Sequence, residues 1–267
     1  PAASAGRSRR TTRGPRAVIQ VAAGRDHSLR LRSDGWVVAN GLDASGQCKA
    51  PDDYNGTFTA VAAGDYHSLG LRANGRIVVW GSNRQQQHAV PAPNSGFVAI
   101  AAGCLHSLAV RADSSVAAWG ANGRGQCNVP QPNASFVAVA GGHSHSLGLK
   151  VDGTIVAWGD DSEGQCTVPE PNSGFVAIAA GYFHSLGLKT DGSIVAWGRD
   201  VSGQCEVPEP NAGFTAIAAD ASHSLALRSS GAIAAWGHDR HGQCCVPVPN
   251  ERYRQICAGG WFSMGRR

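Results

Sequence analysis

Six copies of His-Ser-Leu recur along this chain, at His27, His67, His106, His145, His184 and His223, and Phe262-Ser263 stands at a seventh place. The first interval is 40 residues and every later one is 39. A fixed period of this length marks a repeat architecture, in which each unit buries its apolar face only against its neighbours. The clearest copy runs Gly174-Phe-Val-Ala-Ile-Ala-Ala-Gly181, His184-Ser-Leu-Gly-Leu-Lys189, Asp191-Gly192, Ser193-Ile-Val-Ala-Trp-Gly198 and Gly203-Gln-Cys205, then Val207-Pro208. A Trp-Gly pair lies thirteen residues after the His in five copies, at Trp80, Trp119, Trp158, Trp197 and Trp236, and Asn40-Gly41 replaces it in the first.

Each unit holds three short runs rich in Val, Ile, Ala, Phe and Trp, all of strand length. The second and third are joined by Asp34-Gly35, Asn74-Gly75, Asp152-Gly153 or Asp191-Gly192, pairs suited to a type I′ hairpin turn. The unit therefore predicts a three-stranded meander. Runs such as Val98-Ala-Ile-Ala-Ala102 and Ile155-Val-Ala-Trp158 are apolar without alternation, so both faces of each sheet must be covered. Sheets packed face to face in a ring meet that demand. A right-handed β-helix would also bury repeated strands, but in shorter coils without hairpins. The expected fold is an all-β β-propeller of about seven blades built from 39-residue three-stranded repeats, with the repeated Trp filling the gap between blades. The seventh blade is expected to be incomplete: Tyr253-Arg-Gln-Ile-Cys257 and Phe262-Ser-Met264 supply two strands, and no Trp-Gly run follows.

The unbroken repeat argues for a single propeller domain over residues 16–267, preceded by a basic tail over residues 1–15 that is expected to be disordered. The net charge of +4 resides at the ends. Five Arg in residues 1–16, with Arg266 and Arg267, account for seven of 23 basic residues, and the remaining 16 face 19 acidic ones. A mildly acidic body argues against nucleic-acid binding except through the tail. No segment is long and apolar enough to span a membrane. Eight cysteines without an evident disulfide framework favour a reducing, intracellular compartment, cytoplasmic or nuclear. The chain starts without Met and with no apolar signal core, which leaves open a fragment or a processed form of a longer protein.

The pattern Val-Ala-Ala-Gly, two variable residues, His-Ser-Leu, Asp-Gly, Trp-Gly, Asn-x-x-Gly-Gln resembles the repeat of the regulator of chromosome condensation superfamily. The 39-residue period and the Gly-Gln-x-x-Val-Pro ending are similar to its beta-lactamase inhibitor protein II branch. The resemblance covers residues 17–267. It implies a seven-bladed propeller that binds a protein, or a guanine-nucleotide exchange factor for a small GTPase, or the propeller module of a larger ubiquitin-ligase or kinase-like chain. The exchange reading is disfavoured, because the exchange factor's projecting wedge needs extra residues within a blade and every copy here has the minimal length.

No catalytic constellation is present. A His repeated at equivalent places around a ring is selected by the fold, and is expected to satisfy backbone groups of its own blade. The Ser after each His should point to the opposite face of its strand. Cys48, Cys127, Cys166, Cys205 and Cys244 recur eight residues after the Trp position, with His88 in the second copy. No Cys-x-x-Cys pair accompanies them, so neither a metal nor a cofactor is expected, and small side chains packed under a loop account for them. Asn55-Gly-Thr57 and Asn133-Ala-Ser135 are glycosylation sequons, but Asn also recurs there without the sequon, which points to turn geometry.

Function must then reside where the copies differ. One variable site is the pair before each His: Arg25-Asp26, Asp65-Tyr66, Cys104-Leu105, His143-Ser144, Tyr182-Phe183, Ala221-Ser222 and Gly260-Trp261. The other follows each third strand and contains Arg84, Arg124, Asp161, Glu163, Arg199, Asp200, Asp239 and Arg240. Strand direction places both at one rim of the disk. A constant scaffold that varies at one face suits a binding surface. The resemblance implies that aromatics at the pair positions, Tyr66, Tyr182, Phe183 and Trp261, anchor a protein partner. Arg25, Asp26, Asp65, Leu105, His143 and the eight charged residues above would surround them. The expectation is a monomeric, non-enzymatic binder whose partner the sequence does not name.

Overall fold

Every apolar run of the repeat forms a strand. In the fifth copy these are Phe175–Ala180, His184–Lys189 and Ile194–Gly198. The computed structural model describes residues 17–267, so the basic segment 1–15 lies outside the described residues. Among the described residues, six copies form antiparallel sheets of three strands, and the last copy forms a two-stranded sheet from Gln255–Ala258 and Ser263–Arg266. The strands of each sheet run outward in chain order, so each sheet has an inner, a middle and an outer strand.

The inner strands stand side by side around an axis, and Val21, Val61, Ile100, Val139, Ile178 and Ile256 line the axial space they enclose. The seventh inner strand packs on the first, which closes the ring without an outer strand in blade seven. At that closure the Gln255 amide accepts from Val21 N–H at 3.0 Å and donates to Val21 C=O at 3.3 Å. Gln20 clamps Val61 of blade two in the same way, at 3.0 Å in both directions.

The core lies between blades. Trp158 packs in one cluster with Leu108, Val110 and Phe136, so the indole of blade four presses on the middle strand of blade three. Equivalent clusters hold Trp80 against Leu29 and Leu31, and Trp236 against Leu186 and Leu188. The unalternating apolar pattern follows from this arrangement. In the middle strand of blade five, five consecutive residues are buried because one face meets the preceding blade and the other the following one.

The hairpin turns differ from the two-residue form expected. Gly192 N–H donates to Lys189 C=O at 3.0 Å and Lys189 N–H donates to Ser193 C=O at 2.9 Å, so the loop is longer. Only Gly192 has a positive φ, of 80°. Asp191 accepts Ser193 N–H at 2.9 Å, which stabilises the turn through its side chain rather than through a left-handed backbone. The recurrent Asn is more than a turn former. Asn172 accepts Ile155 N–H at 2.8 Å and donates to Ile155 C=O at 2.9 Å, which fixes the connecting segment to the start of the outer strand. Asn94, Asn133, Asn211 and Asn250 do likewise at their own blades.

Candidate binding rim and axial cavity

The repeated histidines link blades instead of serving their own. His145 Nε2 lies 3.0 Å from Ser185 Oγ of the next blade, and the Ser185 hydroxyl donates to Gln165 C=O at 2.9 Å. With its proton so committed, Ser185 accepts from His145, which is therefore the Nε2–H tautomer. Trp197 Nε1–H donates to the same Gln165 carbonyl at 3.0 Å. His27 with Ser68, His106 with Ser146 and His184 with Ser224 repeat the relay through Gln47, Gln126 and Gln204. The His and Ser of one copy are thus unpaired with each other, while each His pairs with the Ser one repeat later. The other ring nitrogen, Nδ1, has no partner in any of the six. Burial lowers these imidazoles to about 4 at His27, His145 and His223, and to about 3 at His67, His106 and His184. They are neutral struts.

The repeated cysteines also act locally. The Cys166 thiol donates to Asp160 C=O at 3.3 Å and the Cys127 thiol to Ala121 C=O at 3.3 Å, each inside its own loop. Burial pushes Cys127 and Cys244 up to about 11 and Cys166 and Cys205 up to about 12, which keeps them as thiols.

Three first members of the pairs before the histidines, Asp65, Cys104 and Tyr182, turn to the axis and line a cavity of about 340 Å³ at one end of it. The Tyr182 hydroxyl stands 3.4 Å from both Asp65 oxygens. Burial raises Asp65 above the usual carboxylate range, although Arg25, His143 and Tyr182 act against the rise. Asp220 joins this wall and is pushed by burial up to about 8. Sequence reading missed it, yet a signal existed: the sixth copy has Ala-Ala-Asp220 where the six others have Gly. In the five that precede a His, a Cβ would strike the imidazole, as at Gly181 against His184. In blade six the strand continues through Asp220 and Ala221 takes a φ of 37°, which makes room.

Three second members, Tyr66, Phe183 and Trp261, form groups with neighbouring side chains, among them the first members Arg25 and His143. His143 stacks on Phe183 with centroids 5.4 Å apart, and the Arg199 guanidinium lies 5.8 Å from the same ring. Trp261 packs edge-on against His241 at 5.1 Å and His238 at 6.1 Å. Arg25 donates to the Tyr66 hydroxyl at 2.8 Å and pairs with Asp26 at 3.4 Å. Leu105 is half-buried between groups, while Arg84, Arg124, Glu163 and Arg240 are exposed. Glu163 and Arg199 pair across adjacent blades at 3.6 Å.

Two corrections follow for residues assigned to the rim. Asp65 is buried and Tyr182 half-buried, and both face the axial cavity. Asp161, Asp200 and Asp239 are constant in role: each accepts the N–H of the Cys five residues on, at 2.7 to 2.8 Å, as Asp43, Asn83 and Asn122 do for the residue at that place in their copies. They are turn caps presented at the surface.

The model of the regulator of chromosome condensation (RCC1) repeat matches residues 58–87, 97–126, 136–165 and 175–204. No curated protein matches the chain in sequence. Among solved structures, Prp20p of Saccharomyces cerevisiae superposes with a TM-score of 0.80 at 21% identity, over 93% of this chain and 82% of that one. That structure is described together with its binding properties to Gsp1p and histones. The CRINKLY WD40 ectodomain of the Arabidopsis thaliana receptor kinase ACR4 gives 0.74 at 19% identity, over 92% and 91%. The ectodomain of the Physcomitrella patens receptor kinase CR4 gives 0.75 at 25%, over 92% and 69%. Sequence repeat and architecture agree: the chain is a β-propeller in which four copies of the repeat are regulator of chromosome condensation repeats.

Proposed function

We propose that this protein is a non-enzymatic propeller that binds a protein partner through the rim formed by the loops before the middle strands and after the outer ones. The observation that carries the reading is the outward grouping of Tyr66, Phe183 and Trp261 with cationic and histidine side chains, on a scaffold otherwise nearly constant. Rigid aromatics beside Arg are the side chains that most often dominate a protein interface. The axial carboxyls Asp65 and Asp220 sit behind this surface, and a basic side chain of the partner entering there would meet both.

The relative Prp20p is a precedent for a propeller of this architecture that binds proteins. The copies recur at 39 or 40 residues and none carries the extra residues that a projecting wedge needs, which supports binding over nucleotide exchange. The test is crosslinking capture that compares the natural chain with Tyr66→Ala, Phe183→Ala and Trp261→Ala variants, with Val176→Ala on an exposed strand position as a control. One partner held by the natural chain and the control, and lost from the rim variants, is the expected result. Equal capture by all five overturns the rim assignment. A small GTPase preloaded with labelled nucleotide, whose release the protein accelerates, overturns the non-enzymatic reading.

A further inference from the structure

Two carboxyls face the rim end of the axial cavity, and among the described residues no cation pairs with either. Asp65 is only 8% exposed, and the one hydroxyl that reaches it is that of Tyr182, which crosses the axis from blade five and stands 3.4 Å from both oxygens. The Cys104 thiol lies beside it. Asp220 comes from blade six. One of its oxygens accepts the Ala221 N–H at 2.6 Å, and the other has no donor among the described residues. Arg25, the cation that acts on Asp65 from a distance, pairs instead with Asp26 at 3.4 Å and donates to the Tyr66 hydroxyl at 2.8 Å. Burial raises both carboxyls, Asp220 to about 8, as it does wherever no opposite charge attends the group.

A second observation limits what can enter. The cavity is walled by repeat glycines such as Gly64 and Gly142, and by alanines such as Ala63 and Ala180 that it shares with the channel below. In that channel the N–H and C=O of Val21 and Val61 are each satisfied by a Gln side chain. Ile100, Val139 and Ile178 stand at the same register, but Ala precedes each where Gln20 or Gln255 precedes the others, and their N–H and C=O have no side-chain partner among the described residues. An apolar tail pushed down the channel would strip these groups of water at a cost of about 1 to 3 kcal/mol each. A ligand that stops at the carboxyls would leave them wet.

We infer that the rim end of the axial cavity is a socket for the ammonium of one lysine side chain, carried by the protein that binds the rim. The inference rests on the rim reading for that carrier and names the group it presents. An ammonium is a compact charge with three donors, so it can address Asp65 from one wall and Asp220 from another and still reach the Tyr182 hydroxyl oxygen. A guanidinium fork is matched instead to a single carboxylate. One ammonium, one carboxylate and one carboxyl that keeps its proton leave the cavity neutral. The methylene stem passes Tyr182, whose ring meets His143 at 5.4 Å and Phe183 at 6.4 Å, so the socket is continuous with an aromatic group of the rim.

The test titrates the 267-residue protein with n-butylammonium chloride, which has the stem and head of a lysine side chain, and follows the amide resonances of Asp65, Cys104, Asp220 and Ala221. Saturable shifts are expected at these amides, with none from n-butanol, weaker binding of n-propylguanidinium, and at least about ten-fold weaker binding of n-butylammonium to Asp220→Asn. n-Octylammonium should bind no more tightly than n-butylammonium, because its surplus methylenes stay outside. A steady gain with length, of about four-fold per methylene, would make a free alkylamine the occupant and overturn the lysine. The same shifts from sodium chloride alone would reveal a site for an inorganic cation only, and affinity indifferent to Asp220→Asn would remove the socket; both overturn the inference. If Asp220→Asn does not fold, the butanol and octyl comparisons decide. The titration needs no partner, so its outcome is separate from that of capture through Tyr66, Phe183 and Trp261.

Discussion

Six neutral imidazoles buried in one small protein make its stability a steep function of pH. Their folded values, about 3 to 4, lie below the ordinary 6.5 because burial opposes charge and because Nδ1 faces no acceptor. The sign follows directly: the unfolded chain binds protons that the folded one refuses, so the contribution is complete above pH 6.5 and is lost as pH falls toward 4. Each group costs up to about 1.4 kcal/mol per pH unit in that window. Between pH 7.5 and 5.0 one imidazole loses roughly 2 kcal/mol, and six lose roughly 11 kcal/mol. Asp220 acts in the opposite sense. Raised to about 8, it holds a proton when folded that it releases when unfolded, so acidification to pH 5.0 returns about 3 kcal/mol. The net loss of about 8 kcal/mol is comparable to the whole stability of an ordinary domain. The turn carboxylates Asp113, Asp152 and Asp191 are held below 3.8 by hydrogen bonds from Ser or Thr two residues on, and their loss falls outside this window.

Urea unfolding followed by Trp fluorescence at pH 7.5, 6.5, 6.0 and 5.5 measures this. The slope of unfolding free energy against pH gives the protons taken up, expected to be between about three and four at pH 6 once Asp220 is subtracted. His106→Gln should lower the uptake by about one whatever it does to stability itself. An uptake below about one proton, or a slope indifferent to His106→Gln, would refute the argument, because the imidazoles would then be charged or exposed in the folded ring.

Two further predictions concern the joints of the scaffold. Trp158→Ala empties a pocket formed by Leu108, Val110 and Phe136 and removes a donor to Gln126 C=O, so thermal unfolding should report a loss of about 3 to 5 kcal/mol. Asn172→Ala leaves Ile155 N–H and C=O without the side chain that satisfies both, at a cost of about 1 to 3 kcal/mol in the same assay, whereas a change at exposed Val176 should be nearly silent.

The blades were legible because their signals are local and repeated: a run of strand length, an Asp-Gly turn and a Trp recur at one spacing. The joints between blades were not, because a His meets a Ser some 40 residues away and no pattern within one copy reveals it. The His-Ser dipeptide even misleads, since its two members serve opposite neighbours. In the candidate rim, apparent variation hid constancy. Asp161, Asp200 and Asp239 look like variable surface charge until Asn83 and Asn122 are seen to accept the same N–H, a job that either Asp or Asn performs.

Departures from the repeat carry the remaining information, and each has a physical reason. Asp220 replaces a Gly that elsewhere makes room for an imidazole, and the strand lengthens to accommodate it beside Asp65. Asn40 replaces Trp at the joint where, among the described residues, the preceding blade has no outer strand beside it. Phe262 replaces His where the ring passes from blade seven to blade one. There the Ser one repeat on is Ser28, which no linker Gln or His engages among the described residues. Asn40 and Phe262 thus fall on the two sides of one joint, where among the described residues neither the indole nor the His-Ser relay of the other joints is formed.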